Sequence, residues 1–491
     1  MNQLPEARLY IDGAVRPAEA DRTYENICPW TAEVAGLAAE ASSADVEQAI
    51  NAARRAFDQT DWSQQHAERH SLVKKYMALL RKNRDQLSDI ARIEAGAALG
   101  AACRAHVDWA IDGGDDLVEC FNDIAWQEDR GRREEYGAVS DRLVLREPLG
   151  VVGAITPWNV PLYVNIGKVI SALLSGCTVV LKPAPDTPLM GAYMGELALE
   201  AGFPPGVFNV VTSSEPAMAG EMLVDDSRVD VISFTGSTVV GKRIMERGAA
   251  TLKRIFLELG GKSVKIILDD APDFSMKVMM SMAVFHAGQG CALPTRLLVP
   301  RSRYQEAVDA LEISYGGFSG RWGDFDDPEN IMGPVISKRQ LDRVMGYIEL
   351  GQQEGARLLA GGARASDKGT GYFVQPTCFV DVTNDMRIAQ EEIFGPVLAV
   401  IPFDDDEDAI RIANDSIYGL GGAISSGNAE RALNMARRIC AGALSVNDGM
   451  SITGDLPFGG FKGSGMGREW GREGIEEFLD LKVIAIGSKS T

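Results

Sequence analysis

Cys291 sits in Phe285-His286-Ala287-Gly288-Gln289-Gly290-Cys291-Ala292-Leu293-Pro294-Thr295-Arg296, among small residues. Small neighbours leave a sulfur reachable, which a nucleophile needs when a carbonyl carbon must approach it beside an amide donor. Taken alone, the stretch describes a packing cysteine equally well. Glu258 stands between Leu257 and Leu259, just before Gly260 and Gly261. A carboxyl in so apolar a setting can be shifted towards general-base duty, or can be an internal salt-bridge member. Lys182 closes an apolar run and is followed by Pro183-Ala184-Pro185. Prolines stiffen that exit, and a cation there suits a ribose hydroxyl or a phosphate, the alternative being a solvated lysine. Val231 to Ser237, with Gly236, reads as strand, glycine turn and helix start, which aims backbone amides at an anion such as a pyrophosphate. The spacing is not G-x-G-x-x-G, and a tight turn explains it as well. Gly260-Gly261-Lys262-Ser263 ends like a P-loop, but Phe256 stands where that motif requires glycine.

These residues need elements to hold them. From Gly150 onward apolar strands alternate with helices: Val151 to Ile155, a helix near Ile166 to Leu174, Thr178 to Leu181, a helix from Met190 to Glu200, Val207 to Val211 and Val229 to Phe234. That rhythm predicts a parallel sheet covered on both faces, with ligands at the carboxyl ends of its strands. A second α/β unit starts after Gly261, with Val264 to Leu268, Arg296 to Val299, a helix from Ser302 to Glu312, and Val397 to Ile401. Before the first sheet lies a helical run, opened by a serine cap at Ser43 and continuing through Leu72 to Leu87, Ile90 to Leu99 and Ala101 to Phe121. Asp129 to Arg146 is charged, with Gly131 and Gly137, and predicts a β-hairpin arm. Leu481 to Ile486 predicts a final strand.

The 491 residues exceed a single core, and 45% hydrophobic with 24% charged residues is an ordinary globular composition. A net charge of −20 argues against nucleic-acid or anionic-membrane partners, which need a basic footprint. No apolar run spans a bilayer and no leader pattern opens the chain, so a cytoplasmic protein is expected. Seven scattered cysteines without a C-x-x-C pair imply neither a disulfide framework nor a zinc site. Of four histidines only His66 and His70 share i,i+4 spacing, and a solvated helix face explains them, so no metal is expected.

Taken in order, Thr156-Pro157-Trp158-Asn159-Val160-Pro161, Lys182-Pro183-Ala184, Phe234-Thr235-Gly236-Ser237, Glu258-Leu259-Gly260-Gly261-Lys262, Gly288-Gln289-Gly290-Cys291, Glu391 to Val397 and Pro457-Phe458-Gly459-Gly460-Phe461-Lys462 resemble the NAD(P)-dependent aldehyde dehydrogenase superfamily. The resemblance spans essentially the whole chain. It implies Cys291 as the nucleophile that forms a thiohemiacetal and then a thioester. It implies an oxyanion hole from the Asn159 amide and the Cys291 N–H, Glu258 as the base that activates water, and Lys168 in support. For the coenzyme it implies Lys182 on the adenosine ribose, Gly236 and Ser237 on the pyrophosphate, Glu392 on the nicotinamide ribose, and Thr156, Trp158, Leu259 and Phe394 as walls. Pro185 replaces a glutamate common in NAD-preferring members, which favours NAD less sharply and leaves NADP open.

The family's tunnel helix often carries bulky side chains, whereas Val160, Val164 and Gly167 stand here, with Gly290 and Ala292 beside the nucleophile and Thr453 and Phe458 opposite. A wide apolar tunnel for a bulky aromatic or terpenoid aldehyde follows as an expectation. The resemblance implies an α/β fold of two Rossmann-type parallel-sheet domains plus a β-hairpin oligomerisation arm. The expected parts are a coenzyme domain (1–128 and 147–258), a catalytic domain (259–455) and the arm (129–146 and 475–491) of a homodimer or homotetramer. Two rivals are a CoA-acylating dehydrogenase, against which Glu258 argues, and a non-catalytic protein of the same fold, against which the joint presence of Cys291, Glu258 and Asn159 argues.

Overall fold

Unbroken apolar strands must be covered on both faces, and Val151–Ile155, Thr178–Lys182 and Val231–Thr235 are buried along their whole length. The computed structural model describes residue 4 and residues 6–281, 283–318 and 322–487. The three strands are neighbours in an eight-stranded sheet of order 465–466, 254–258, 231–235, 151–155, 178–182, 208–210, 9–11 and 14–16. Strands 254–258 through 208–210 run parallel, and the pairs at both edges are antiparallel. The chain builds outward from 151–155 through 178–182 to 208–210, then returns to the other side of 151–155 for 231–235 and 254–258. A crevice opens at the carboxyl ends where strand order reverses in this way. The Pro161–Ser175 helix, apolar nearly all round and buried at nearly every residue, packs between this sheet and the Ala101–Cys120 helix.

The first long helix, Ser43–Gln59, is capped by Ser42 and not by Ser43: the Ser42 hydroxyl accepts the Asp45 N–H, and the Asp45 carboxylate accepts the Ser42 N–H. Two adjacent serines carry the same chemistry, and only the backbone turn selects one. His66 and His70 are not on a solvated face. His66 meets the Trp126 ring at 4.3 Å, and His70 stacks on Phe121 with its Nε2 3.0 Å from the Val118 carbonyl. The aromatic residues that cover them come from the far end of the helical run, which i,i+4 spacing does not reveal.

The second sheet has seven strands in the order 357–360, 377–380, 397–403, 296–300, 264–267, 421–425 and 443–446, parallel except for its 357–360 edge. The Gln127–Glu135 and Ala138–Pro148 hairpin is longer than the charged segment suggested. The Leu479–Gly487 strand pairs antiparallel with its second strand over nine positions, so the tail is tied down by its own chain's hairpin. Residues 488–491, expected in the arm, lie outside the described residues. The Gly465–Met466 strand, late in the chain, returns to edge the first sheet. No helix among the described residues is long and apolar enough to cross a membrane.

Only residues 259–263 separate the last strand of the first sheet's parallel set from the first strand of the second sheet. Arg296 clamps this crossing. Its buried guanidinium donates to the carbonyls of Lys262, Ile412 and Ala413 and to the Asn384 side chain, while its own N–H and that of Thr295 reach the Ser263 carbonyl. Arg296→Leu leaves several buried carbonyls unmet, so a loss of at least about 3 kcal/mol is expected in denaturant unfolding. A midpoint unchanged from that of the parent would show that the clamp contributes nothing.

Candidate active site

Parallel pairing brings the carboxyl ends of four strands to one edge. Glu258 and Thr235 are register partners ending neighbouring strands, and Lys182 ends its strand opposite Ile155, just before Thr156. The Thr156 and Thr235 hydroxyls are buried there and meet no hydrogen-bond partner in the protein. Ser237 caps the Thr238–Gly248 helix by accepting the Val240 N–H. The Gly236 N–H donates to the Glu258 carbonyl at 3.1 Å, and a Cβ on Gly236 would lie 2.5 Å from the Phe234 ring. The turn therefore requires glycine and exposes the helix's positive end. Leu259 is buried and packs on Gly241 of that helix. Lys182 is buried with its Nζ donating to the Pro183 carbonyl at 3.1 Å, and burial pushes its ammonium down to about 8.

Across the crevice, the Trp158 and Phe394 rings meet edge to face at 5.3 Å. Glu392 lies over Gly260 and Gly261: its Oε1 accepts the Gly261 N–H at 2.9 Å, and a Cβ on Gly260 would lie 2.3 Å from its Oε2. Burial pushes the Glu392 carboxyl up, partly offset by that N–H. Unmet hydroxyls, a helix N-terminus and a flat aromatic wall along one crevice fit a dinucleotide such as NAD. The nicotinamide end of such a ligand would be held by Glu392 and Phe394, and its pyrophosphate by Gly236 and Ser237.

Cys291 follows a loop in which His286, Ala287 and Gly288 all adopt left-handed conformations, with φ of 46°, 52° and 73°. A non-glycine residue pays for that geometry and persists in it only when its surroundings hold it. Gln289 supplies the hold: its side-chain amide donates to the His286 carbonyl, its Oε1 accepts the Ile336 N–H at 2.9 Å, and its own carbonyl accepts from Asn159 Nδ2 at 2.9 Å. The Asn159 amide thus reaches the Cys291 loop and commits one of its two N–H bonds to it.

Glu258 is buried, and its carboxyl and the Cys291 thiol lie close enough to influence each other's titration. Burial pushes its carboxyl well above the usual range, Glu469 and Glu392 add to the rise, and the Lys168 ammonium opposes it. Burial also pushes the Cys291 thiol well up, with the Glu258 and Glu392 carboxyls adding to the rise and an Ala292 backbone contact opposing it. Each of the two groups is therefore held towards its neutral form. Lys168, fully buried, donates to Ser233 Oγ at 3.0 Å and forms an ion pair with Glu469.

Sequence reasoning missed Glu469, 301 residues from Lys168 and without a local mark to set it apart from the nearby exposed acids. The antiparallel bridge between Phe458 and Glu469, with both hydrogen bonds at 2.7 Å, fixes its position. Tyr163 and Trp470 were missed as well. The Trp470 ring fills the space beside Gly167, 2.9 Å from where a Cβ would stand, and the Leu293 side chain fills the space beside Gly290 at 2.7 Å. The two glycines on which a wide tunnel was expected therefore do not widen it. Val164 is buried, Val160 precedes the helix, and Ala292 packs towards Gly421. Thr453 turns its hydroxyl to exposed Asp455.

The profile described as the aldehyde dehydrogenase family matches residues 15–484. The mitochondrial aldehyde dehydrogenase of Leishmania tarentolae is 39% identical over 99% of this chain and 96% of its own length. The 3-succinoylsemialdehyde-pyridine dehydrogenase of a Pseudomonas species is 40% identical over 97% of this chain and 98% of its own. Among solved structures, the betaine aldehyde dehydrogenase of Staphylococcus aureus in complex with NAD+ superposes with a TM-score of 0.94 at 35% identity, covering 99% of this chain and 96% of that one. The NAD-dependent aldehyde dehydrogenase of Sinorhizobium meliloti gives 0.93 at 37% identity, with 99% and 95% covered.

A half-buried thiol held towards its neutral form alkylates slowly. In the ligand-free protein, the iodoacetamide rate at Cys291 is expected to keep climbing as pH rises through and past 9.0, the ordinary thiol value, because the thiolate appears only there. A rate already at its plateau at neutral pH would contradict the arrangement.

Proposed function

The chain belongs to the aldehyde dehydrogenase family and acts with NAD, and on that premise we propose the roles of its residues and the class of aldehyde it takes. Cys291 attacks the aldehyde carbon, and the adduct's oxyanion is met by the second Asn159 N–H and the Cys291 backbone N–H. A bound NAD would supply the acceptor for the hydride that leaves this adduct. In the ionised form that Lys168 favours, Glu258 takes the thiol proton before attack; once that proton has passed to solvent, it takes, in the second half of the cycle, a proton from the water that hydrolyses the thioester. Lys168 and Glu469 bracket that carboxyl with opposite charges and so set the pH at which it can act. The single observation that carries this reading is the burial of Glu258 against the Cys291 thiol, at the carboxyl end of the strand next to the helix-capped turn.

The substrate proposed is an aldehyde with an apolar, aromatic body. Its support is the aromatic pair of Tyr163 and Trp470, with ring centroids 4.4 Å apart, and the buried apolar side chains of Val164, one residue on in the same helix, and Phe458. The named activity of the Pseudomonas relative on a pyridine-bearing semialdehyde agrees with an aryl group in such a site. Water and not CoA takes the acyl group, because the base beside the thiol is present. The coenzyme preference proposed is NAD over NADP, with Lys182 as the buried cation at the adenosine side. A cytoplasmic location agrees with seven cysteines that form no disulfide among the described residues. The assembly proposed is a dimer or a dimer of dimers, built on the arm, whose Leu481, Val483 and Ile486 are more than half exposed in a single chain.

A panel run with both coenzymes tests this reading. Aromatic aldehydes should exceed acetaldehyde and succinate semialdehyde in kcat/KM by about tenfold or more, as expected when an apolar pocket is filled. The product should be the free acid whether or not CoA is present, and Cys291→Ser should abolish turnover while NAD affinity stays intact. Higher kcat/KM for the small or charged aldehydes would refute the substrate class. Sedimentation of the protein as a monomer at micromolar concentration would refute the assembly.

A further inference from the structure

Two buried polar atoms beside Cys291 meet no hydrogen-bond partner in the protein: the Tyr163 hydroxyl and Glu258 Oε1. Tyr163 and Gly167 share one face of the Pro161–Ser175 helix at i,i+4 spacing, and the Trp470 ring lies against both. Glycine at 113 admits the same ring from the Ala101–Cys120 helix, where a Cβ would lie 2.8 Å from it. The phenol is thus locked in orientation by packing. Tyr163 lies four residues past Asn159, whose amide holds the Cys291 loop, and its ring rests on Trp470, the neighbour of Glu469; the charges that its hydroxyl feels are those of Cys291, Glu469, Glu258 and Asp116. Burial first, and then these acidic groups, keep it protonated far above the ordinary phenol range. A permanent O–H donor and a carboxyl acceptor, both unmet, therefore flank the same sulfur.

An unsatisfied buried donor or acceptor costs about 1–3 kcal/mol. One water accepting from Tyr163 and donating to Glu258 Oε1 relieves both at once and keeps a lone pair free. We infer that Tyr163 is the second holder of the hydrolytic water: with Glu258 it positions the molecule that cleaves the thioester on Cys291. The inference rests on the reading of Cys291 and Glu258 given above. In the step, the water oxygen bonds to the thioester carbonyl carbon and its proton passes to ionised Glu258. The carbon–sulfur bond then breaks, the carboxylic acid leaves, and the sulfur departs as thiolate, to be reprotonated from Glu258. No redox change occurs, because the hydride has already left in the earlier half of the cycle. Tyr163 gives up no proton and only orients the attacking oxygen.

Deacylation can be read in isolation from hydride transfer. Full-length protein is acylated at Cys291 with p-nitrophenyl acetate, freed of excess ester, and followed by intact-protein mass spectrometry as the acetyl group is lost. Tyr163→Phe keeps the ring against Trp470 and removes only the hydroxyl. Its acetyl-enzyme should decay about tenfold more slowly than the parent's, the loss of one well-placed hydrogen bond, while the rate of acylation and the affinity for NAD stay unchanged. Glu258→Gln should decay more slowly still. Decay of Tyr163→Phe at the parent rate while Glu258→Gln is slow would overturn the role of Tyr163 alone. Equal slowing of acylation and deacylation in Tyr163→Phe would reduce it to a packing residue and overturn the inference. Decay of Glu258→Gln at the parent rate, or failure of Cys291 to acylate in the parent protein, would instead overturn the reading on which it rests.

Discussion

A buried carboxyl beside a half-buried thiol, Glu258 and Cys291, sets the terms for the rest of this molecule. Neither can ionise without help in so dry a place, and water is what normally provides it. The protein provides a substitute in two parts. The Lys168 ammonium, itself held by Glu469 and Ser233, favours the charged form of Glu258, and the backbone around Cys291 offers N–H donors where negative charge develops. The same dryness strengthens each of these interactions.

Holding such a pair calls for both sheets. Glu258 ends a strand of the first, Cys291 precedes the 296–300 strand of the second, and the crossing between them is the short Leu259–Ser263 segment. Its glycines matter for contact as much as for conformation. A Cβ at Gly260 would meet Glu392, and one at Gly261 would lie 2.5 Å from the Cys291 carbonyl. Arg296 then fixes the far end of the crossing from a fully buried position, tying it to the segment around Asn384 and to the last turn of the Asp406–Asn414 helix. The late return of the chain through Phe458, Gly465 and Glu469 closes the arrangement from the first sheet's edge.

Trp470 illustrates how a core substitutes one side chain for another. Gly113 and Gly167, on two different helices, leave a gap that the indole fills, and Tyr163 is stacked on it. Close packing tolerates no void of that size, so small residues on a helix facing a site do not by themselves measure the room available to a ligand. The expectation of a broad tunnel failed on this point, because the filling residue comes from some three hundred positions further along the chain.

Much was legible in the residues themselves. Apolar runs of strand length separated by helical periods determined the parallel sheets, since strands covered on both faces admit few polar residues. The ordered motifs around Asn159, Lys182, Gly236, Glu258, Cys291 and Glu392 determined the family, because each combines a reactive or binding group with the small residues that its backbone geometry demands. Tertiary structure alone decided which polar groups are left without partners, which acid sits beside Lys168, and what fills the space next to Gly167 and Gly290. Those outcomes depend on contacts between residues distant in sequence, and on burial, which shifts a carboxyl or a thiol only once the whole chain has closed around it.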